Sequence, residues 1–378
     1  MRSTLLHHFQ SIILTVFTAV AVAVQLLDFT DDQMNMIKAI AGLACLGSSV
    51  VFGSWKFTSK SIGIAFFLSI LMSVSILYNG NARFVNILWI WAYMGPAMLL
   101  YEYGVIKIYA QITFYAVCPL FFFLFLTGGL DVTMILTHGS ANHVSILCIY
   151  CMSIYYLSLE LEKNDSAPLI PIILVIFLSI VTGCRSGIVA AALFLLLILK
   201  FNWRNIRNQT QKTKYIILLI IGAIVVIYAG ITYLDQFSEA LTSKMDKQGM
   251  ESARSAIWKE YFSGTFESIE SFLFGVPTNQ PKYPNLYYYS GNPHNSFLML
   301  HAKYGLAGLL FFGFAIVKAI KKAQKNQDYI LKYVIYLIVV RCFFDWTAFP
   351  GLYDVFFFYM VFYAFYNKSI FVKRSKSV

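Results

Sequence analysis

Charged residues are scarce in this sequence: Asp, Glu, Lys and Arg make up 12% of its 378 residues, about half the fraction typical of soluble domains. Hydrophobic residues account for 59%, and the mean hydropathy is +0.67. A soluble core cannot bury this much apolar surface, whereas a lipid bilayer can. The composition therefore excludes an ordinary soluble domain and favours a protein embedded in a membrane.

Sequence motifs for nucleotide and metal chemistry are also missing. The chain has no Walker loop, no dinucleotide-binding glycine pattern, no zinc-protease helix and no Asp-x-Asp motif of the kind that holds Mg²⁺. The six cysteines lie in or beside apolar runs, and Cys148 and Cys151 have no second pair nearby. We interpret the cysteines as buried small hydrophobic residues. We predict a protein that uses neither a bound metal nor a cofactor.

Long apolar runs recur along the whole chain. A spanning segment needs about 20 apolar residues, and it must satisfy its own backbone hydrogen bonds in lipid, as a helix does. We therefore predict an all-α integral membrane protein with about twelve transmembrane helices, forming a single polytopic domain over residues 1–378. The predicted spans lie near 11–27, 36–55, 61–78, 85–101, 104–126, 141–159, 168–184, 186–201, 215–233, 296–317, 329–349 and 352–370.

The net charge of +11 indicates orientation in the membrane rather than a nucleic-acid partner. If the N-terminus is cytoplasmic, the connections at 56–60, 200–214 and 318–332 and the tail at 368–376 fall inside, and all are rich in Lys and Arg. Membrane proteins show this excess of basic residues in cytoplasmic loops. We predict that both termini are cytoplasmic and that no nucleic acid binds.

One connection is much longer than the others. Residues 234–293, between spans nine and ten, contain no run that could cross a bilayer, and in this topology they form a large outer loop. Trp258 and Tyr261 share one face of a helix over 252–262, which suits a short interfacial helix at the level of the lipid headgroups. A tyrosine cluster that includes Tyr288 follows. These rings either anchor the loop at the membrane surface or stack against sugar rings.

Two arginines near the outer face are candidates for binding an anion. Arg185 lies within Gly183-Cys-Arg-Ser-Gly187, and Arg254 lies on the loop helix. A guanidinium binds two phosphate oxygens at once, and the glycines let the backbone come close to a ligand. The alternatives are a snorkelling side chain for Arg185 and a solvated surface charge for Arg254.

His294 is the candidate catalytic base. It follows a Gly-Asn-Pro turn and precedes Asn295 at the start of the tenth span, and the proton affinity of histidine suits base catalysis near neutral pH. A purely structural histidine is the alternative, and His301 is expected to support or pack. Arg341 and Asp345 are four residues apart, so they can form a helical ion pair. This pair either stabilises the fold, orients a substrate or helps to hold His294.

Three places in the chain resemble the O-antigen ligase and polymerase superfamily of bacterial membrane glycosyltransferases. Thr182-Gly-Cys-Arg-Ser-Gly-Ile188 is similar to the opening of a span in that family. Ala253-Arg-Ser-Ala-Ile-Trp-Lys259 and Phe274-Gly-Val-Pro277 resemble its Arg…Trp helix and the turn after it, with proline where a second glycine is usual. His294-Asn295, nine residues and Gly305-Leu-Ala-Gly308 match a family pattern without a gap.

The resemblance implies a reaction and a location. A glycan on undecaprenyl pyrophosphate is the donor, and a sugar hydroxyl is the acceptor. His294 would take the proton of the acceptor, while Arg185 and Arg254 would bind the leaving pyrophosphate. A single displacement would invert the anomeric configuration. The site would face the periplasm from the bacterial inner membrane, with five supporting residues: Asn295, Arg341, Asp345, Trp258 and Tyr288.

The resemblance leaves two activities open. A polymerase adds the glycan to a lipid-linked repeat unit, whereas an O-antigen ligase adds it to the lipid A-core of lipopolysaccharide. Gly291-Asn-Pro-His-Asn-Ser-Phe297 and the Arg341…Asp345…Phe349-Pro-Gly351 segment resemble repeat-unit polymerases, which favours that activity. A polymerase is expected to have a chain-length regulator as a partner. A lipid-linked oligosaccharide flippase and a scaffold subunit are the non-enzyme alternatives, but the internal repeat often seen in transporters is missing.

Overall fold

The computed structural model describes residues 2–27, 29–81, 83–128, 136, 142–159, 161, 165–206, 210, 212–213, 216–217 and 253–366. Every regular element in these ranges is an α-helix, which confirms the predicted fold class. The helices are α1 (Arg2–Leu26), α2 (Asp31–Phe52), α3 (Trp55–Asn79), α4 (Val85–Glu102), α5 (Lys107–Thr127), α6 (Asn142–Leu157), α7 (Ile170–Val181), α8 (Arg185–Asn205), α9 (Ala253–Thr265), α10 (Ile269–Phe274), α11 (Pro284–Tyr288), α12 (Ser296–Lys325), α13 (Tyr329–Phe343) and α14 (Asp354–Phe365).

Several of the described helices can cross a membrane. Six are long and apolar enough by length and composition: Thr4–Leu26, Asp32–Phe52, Trp55–Asn79, Lys107–Thr127, Arg185–Asn205 and Ser296–Lys325. This supports a multi-pass membrane protein, whereas the count of about twelve spans stays a prediction. The span predicted at 168–184 is the twelve-residue α7, whose length of about 18 Å is less than the thickness of the hydrocarbon core. The span predicted at 215–233 lies outside the described residues, apart from 216–217.

The N-terminal half packs tightly against the C-terminal helices. Helix α4 lies between α2 and α14 and contacts both. Gly42 and Gly95 form the crossing of α2 and α4, where an added Cβ on either glycine would collide with backbone of the other helix. Small residues allow membrane helices to approach this closely. Helix α12 in turn packs on α14, α13 and α3, so residues from both halves of the chain meet around it.

Two glycines join the outer-loop helices to α12. Gly275 ends α10 with φ of 95°, and Gly305 interrupts α12 with φ of 68°. A Cβ on Gly275 would collide with the carbonyl oxygen of His301, and a Cβ on Gly305 would collide with that of Leu273. Because only glycine combines a positive φ with so close a backbone contact, these positions explain the Phe-Gly-Val-Pro and Gly-x-x-Gly motifs.

The burial of Tyr261 differs from what the sequence predicted for the interfacial helix. Tyr261 is 1% exposed, and its hydroxyl donates to Nδ1 of His301 at 2.8 Å, while Nε2 of His301 donates to the carbonyl of Phe272 at 2.9 Å. Tyr261 is therefore not an exposed aromatic anchor, because its side chain packs against α12. The placement of α9 at the headgroup level stays a prediction. His301 has the supporting role that was predicted. The most exposed apolar side chains of α9, α10 and the turn between them are Phe266 and Ile269, which are 74% and 75% exposed.

Candidate active site

His294 lies two residues before α12, and its neighbours fix its position. Asn295 caps the helix: its Oδ1 accepts hydrogen bonds from the backbone N–H groups of the two residues after Ser296, at 2.8 and 3.1 Å. Its Nδ2 donates to the carbonyl of Phe343 at 2.9 Å, which ties the start of α12 to the end of α13. His294 has φ of 48°, and its N–H donates to Oδ1 of Asn292 at 2.8 Å. A positive φ is uncommon outside glycine, so this turn gives His294 a defined direction.

Asp345 joins His294 to Arg341. It lies in the connection between α13 and α14, where its Oδ1 is 3.9 Å from Nδ1 of His294. This distance is in the range of an ion pair and beyond that of a direct hydrogen bond. Nη1 and Nη2 of Arg341 each donate to Oδ2 of Asp345 at 3.3 Å. The Arg341–Asp345 pair therefore forms, and the arginine is completely buried.

The electrostatics of Asp345 favour its charged form. Burial by itself would raise the pKa of this carboxyl group. The contact with His294, the charges of Arg341 and Arg254 and the backbone N–H of Trp346 together outweigh burial and lower the pKa to about 2. Asp345 is thus a fixed negative charge beside His294 at neutral pH. The same effect shows that Arg254, on α9, is close enough for its charge to act on this carboxylate.

Arg185 begins α8, and its side chain is exposed. The residue before it, Cys184, is buried, and its sulfur accepts a hydrogen bond from Nη2 of Arg341 at 3.7 Å. The turn between α7 and α8 therefore contacts the buried arginine of the site, while the guanidinium of Arg185 faces outward. This contact joins the Gly183-Cys-Arg-Ser-Gly187 motif to the Arg341…Asp345 segment, which are far apart in the chain.

The predicted aromatic residues have different surroundings. Nε1 of Trp258 donates to the carbonyl of Pro293 at 2.9 Å, so Trp258 supports the turn that holds His294. Tyr288 is 80% exposed and contacts Tyr289, with 5.0 Å between ring centroids. The ring that packs on His294 is that of Tyr289, edge-on at 5.4 Å. The tyrosine run did not indicate which member would meet His294, because that depends on where α11 ends.

No pattern in the sequence singled out Ser296, the first residue of α12. Its Oγ donates to the carbonyl of Asp345 at 2.8 Å and accepts from the backbone N–H groups of Thr347 and Ala348 at 3.0 and 3.2 Å. Ser296 thereby holds the connection that carries Asp345 against the start of α12. Its place directly after His-Asn was the one available signal.

The arrangement suits proton transfer next to an anion. Because Nδ1 of His294 faces an ionised carboxylate, the other ring nitrogen, Nε2, can accept a proton, and the carboxylate stabilises the imidazolium that forms. Guanidinium groups bind phosphate oxygens in pairs. Arg185 is exposed and Arg254 is half-buried, so both side chains are open to solvent.

Comparison with known proteins supports the resemblance found in the sequence, over part of the chain. Residues 170–313 match the family model described as O-antigen ligase. The matched segment runs from α7 into α12 and includes Arg185, Arg254 and His294, whereas Arg341 and Asp345 lie beyond it. The match supports the resemblance to the O-antigen ligase and polymerase superfamily over this segment. Members of the matched family are membrane glycosyltransferase-like enzymes. A comparison with curated proteins found no match.

Proposed function

We propose that this protein is a repeat-unit polymerase that joins lipid-linked glycans at the periplasmic face of the bacterial inner membrane. The donor is a glycan on undecaprenyl pyrophosphate, and the acceptor is a sugar hydroxyl of a lipid-linked repeat unit. The observation that carries the proposal is the contact of His294 with Asp345 at 3.9 Å. The positive charges of Arg341 and Arg254 help to keep this carboxylate ionised. A carboxylate beside Nδ1 supports the assignment of His294 as a general base.

The reaction is a single displacement. Nε2 of His294 removes the proton of the acceptor hydroxyl, and Asp345 stabilises the resulting imidazolium. The acceptor oxygen forms a bond to the anomeric carbon of the donor. The bond from that carbon to the pyrophosphate oxygen breaks, and its electron pair leaves with undecaprenyl pyrophosphate. The anomeric configuration is inverted, and His294 then releases the proton to solvent.

The leaving pyrophosphate needs cations, and we assign this role to Arg254 and Arg185. The charge of Arg254 reaches Asp345, and Arg185 is exposed beside Cys184, which contacts the buried Arg341. Since pyrophosphate is already a good leaving group, positioning and charge stabilisation supply most of the catalysis. This chemistry requires neither a metal nor a cofactor.

An O-antigen ligase is the second candidate, because the matching family model carries that description. The chemical step and the site residues are the same, and only the acceptor differs, since a ligase uses the lipid A-core. A lipid-linked oligosaccharide flippase is a third, weaker candidate, and it would need no general base.

The test is complementation of a strain that lacks this protein, read as a lipopolysaccharide ladder on a gel. Variants His294→Ala, Arg254→Ala and Arg185→Ala are compared with His8→Ala, a control histidine on α1, and immunoblots confirm that each is made. A polymerase gives a full ladder with the wild type and a core with a single repeat unit with His294→Ala. Bare core with long chains on the carrier lipid identifies a ligase. An unchanged ladder with His294→Ala contradicts the assignment of the base.

A further inference from the structure

A cavity of 320 Å³ opens beside the candidate active site, within the range of about 300–1,000 Å³ typical of ligand pockets. It is lined on one side by α1, α2, α4 and α6, and on the other by α12 and the connection between α13 and α14. Trp346 and Thr347, which line it, directly follow Asp345. Most of its wall therefore comes from the N-terminal half, which the family model does not cover.

The polar lining matches the hydrogen bonding of sugars. Gln25, Asn35 and Asn86 contribute side-chain amides, and Lys38 and Lys303 contribute ammonium groups. An amide both donates and accepts, as does a sugar hydroxyl, while an ammonium group only donates. Among the lining residues, all of them in the described part of the chain, none is acidic. The lining can thus bind a ligand that presents several hydroxyl groups.

Aromatic rings form the apolar part of the same wall. Trp89 stacks on Tyr93 with 5.4 Å between ring centroids and an interplanar angle of 24°. Nζ of Lys303 lies over the ring of Trp346 at 5.3 Å. Flat aromatic surfaces beside hydrogen-bonding groups combine an apolar body with a polar rim. A pyranose ring has the complementary surface, with C–H groups on its face and hydroxyls at its edge.

A second cavity of 630 Å³ continues the first. The two share Asn35, Asn86 and Trp89 in their walls, and the second extends along the α3–α4 connection to Asn279 of the outer loop. Asn81 fixes this junction, because its Nδ2 donates to the carbonyl of Ala302 at 3.0 Å and its Oδ1 accepts from a backbone N–H of the outer loop at 2.6 Å. We call the two adjoining cavities the outer trough.

We propose that the outer trough binds the oligosaccharide of a lipid-linked substrate, beyond the sugar that reacts at His294. This inference rests on the proposed function. The trough combines cavities of 320 and 630 Å³, its wall includes Trp346, the residue after Asp345, and its lining contains both amides and aromatic rings. It gives the N-terminal half a role in recognising the glycan, separate from the charged groups that carry the chemistry.

The binding test uses the repeat-unit oligosaccharide released by mild acid from the carrier lipid of a strain lacking this protein. It is titrated calorimetrically into full-length protein in detergent. Lys38→Met and Trp89→Ala each remove a lining group and are expected to weaken binding about tenfold. Lys107→Met is the control, because Lys107 is an exposed lysine on α5 that lines neither cavity.

The outcomes separate this inference from the proposed function. Thermal unfolding checks each variant, and if Trp89→Ala does not fold, Lys38→Met decides. Wild-type binding by both folded variants, or no binding by the wild type, overturns the role of the trough. Binding without polymer formation by the wild type refutes the proposed function and supports the trough.

Adding the free oligosaccharide to a polymerisation assay shows which glycan occupies the trough. If the oligosaccharide is elongated, it takes the place of the acceptor. If it inhibits without being elongated, it takes the place of the donor glycan. Either result supports the trough, and an oligosaccharide that is neither elongated nor inhibitory contradicts it.

Discussion

Replacing Asp345 by Asn tests whether this carboxylate acts through His294. The substitution keeps the shape of the side chain and removes the charge 3.9 Å from Nδ1. At an effective dielectric constant of about 20, two unit charges at this distance attract by about 4 kcal/mol. Arg341, at 3.3 Å from the other carboxylate oxygen, offsets part of this attraction. If about 2 kcal/mol remains for the imidazolium in the transition state, kcat falls about 30-fold.

The assay measures kcat of purified variants on lipid-linked repeat units in detergent. Asp345→Asn also leaves the buried Arg341 without its carboxylate, and breaking a buried ion pair in this way destabilises a protein by about 3–5 kcal/mol. A lower kcat of the single variant therefore does not separate the lost charge beside His294 from the disturbed packing around Arg341. The double variant with His294→Ala does. If Asp345 acts through His294, the double variant is no slower than His294→Ala. A further tenfold fall, at equal amounts of folded protein, would refute the reasoning.

Three further predictions concern stability, read from thermal unfolding in detergent. Gly305→Ala should cost about 3 kcal/mol, because its φ of 68° and the adjacent carbonyl leave no room for a Cβ, whereas Gly313→Ala, with open space around it, should be neutral or stabilising by up to about 1 kcal/mol. Tyr261→Phe should cost about 1–3 kcal/mol, since Nδ1 of His301 loses its donor. The folded-state pKa of Asp345, about 2, is below its ordinary 3.8, so its ionisation contributes about 2 kcal/mol of stability above pH 4 that is lost as the pH falls through 2. Asp345→Asn should remove this part of the acid dependence.

Each of these predictions has a contradicting result. Equal stability of the alanine variants at Gly305 and Gly313 would argue against the close packing of the outer loop on α12. An unchanged unfolding temperature for Tyr261→Phe would mean that its hydroxyl does not satisfy His301. If the wild type and Asp345→Asn lose the same amount of stability as the pH falls from about 4 to 2, the acid dependence belongs to other carboxyl groups.

The helical class could be predicted because it follows from composition alone. A backbone in lipid must satisfy its own hydrogen bonds, so long apolar runs become helices whatever their neighbours. The predicted boundaries were less reliable: α3 begins at Trp55, six residues before the span predicted at 61–78, because hydropathy does not register a polar first turn that is still helical. The twelve-residue α7 shows the reverse error, since the predicted span included residues outside the helix.

The candidate site could be predicted only in part. The spacing of Arg341 and Asp345 implied a pair on one helix, and the His-Asn motif marked the start of α12. That Asp345 also meets His294 was decided by the packing of α12 on α13. Asn295 holds this packing through a hydrogen bond to the end of α13, and Ser296 through one to the connection after it. Such contacts join residues distant in the chain, and no local pattern contains them.

Side-chain direction was the other feature that tertiary structure alone decided. Tyr261 is buried against His301, and Tyr289 rather than Tyr288 packs on His294, because helix ends and turns set which face of each segment meets α12. The outer trough, whose two cavities both include Trp89 in their walls, also forms only because separate helices pack together. The amino-acid pattern specifies which segments enter the membrane, since that is a property of each segment, whereas the site and the trough arise only where separate segments pack together.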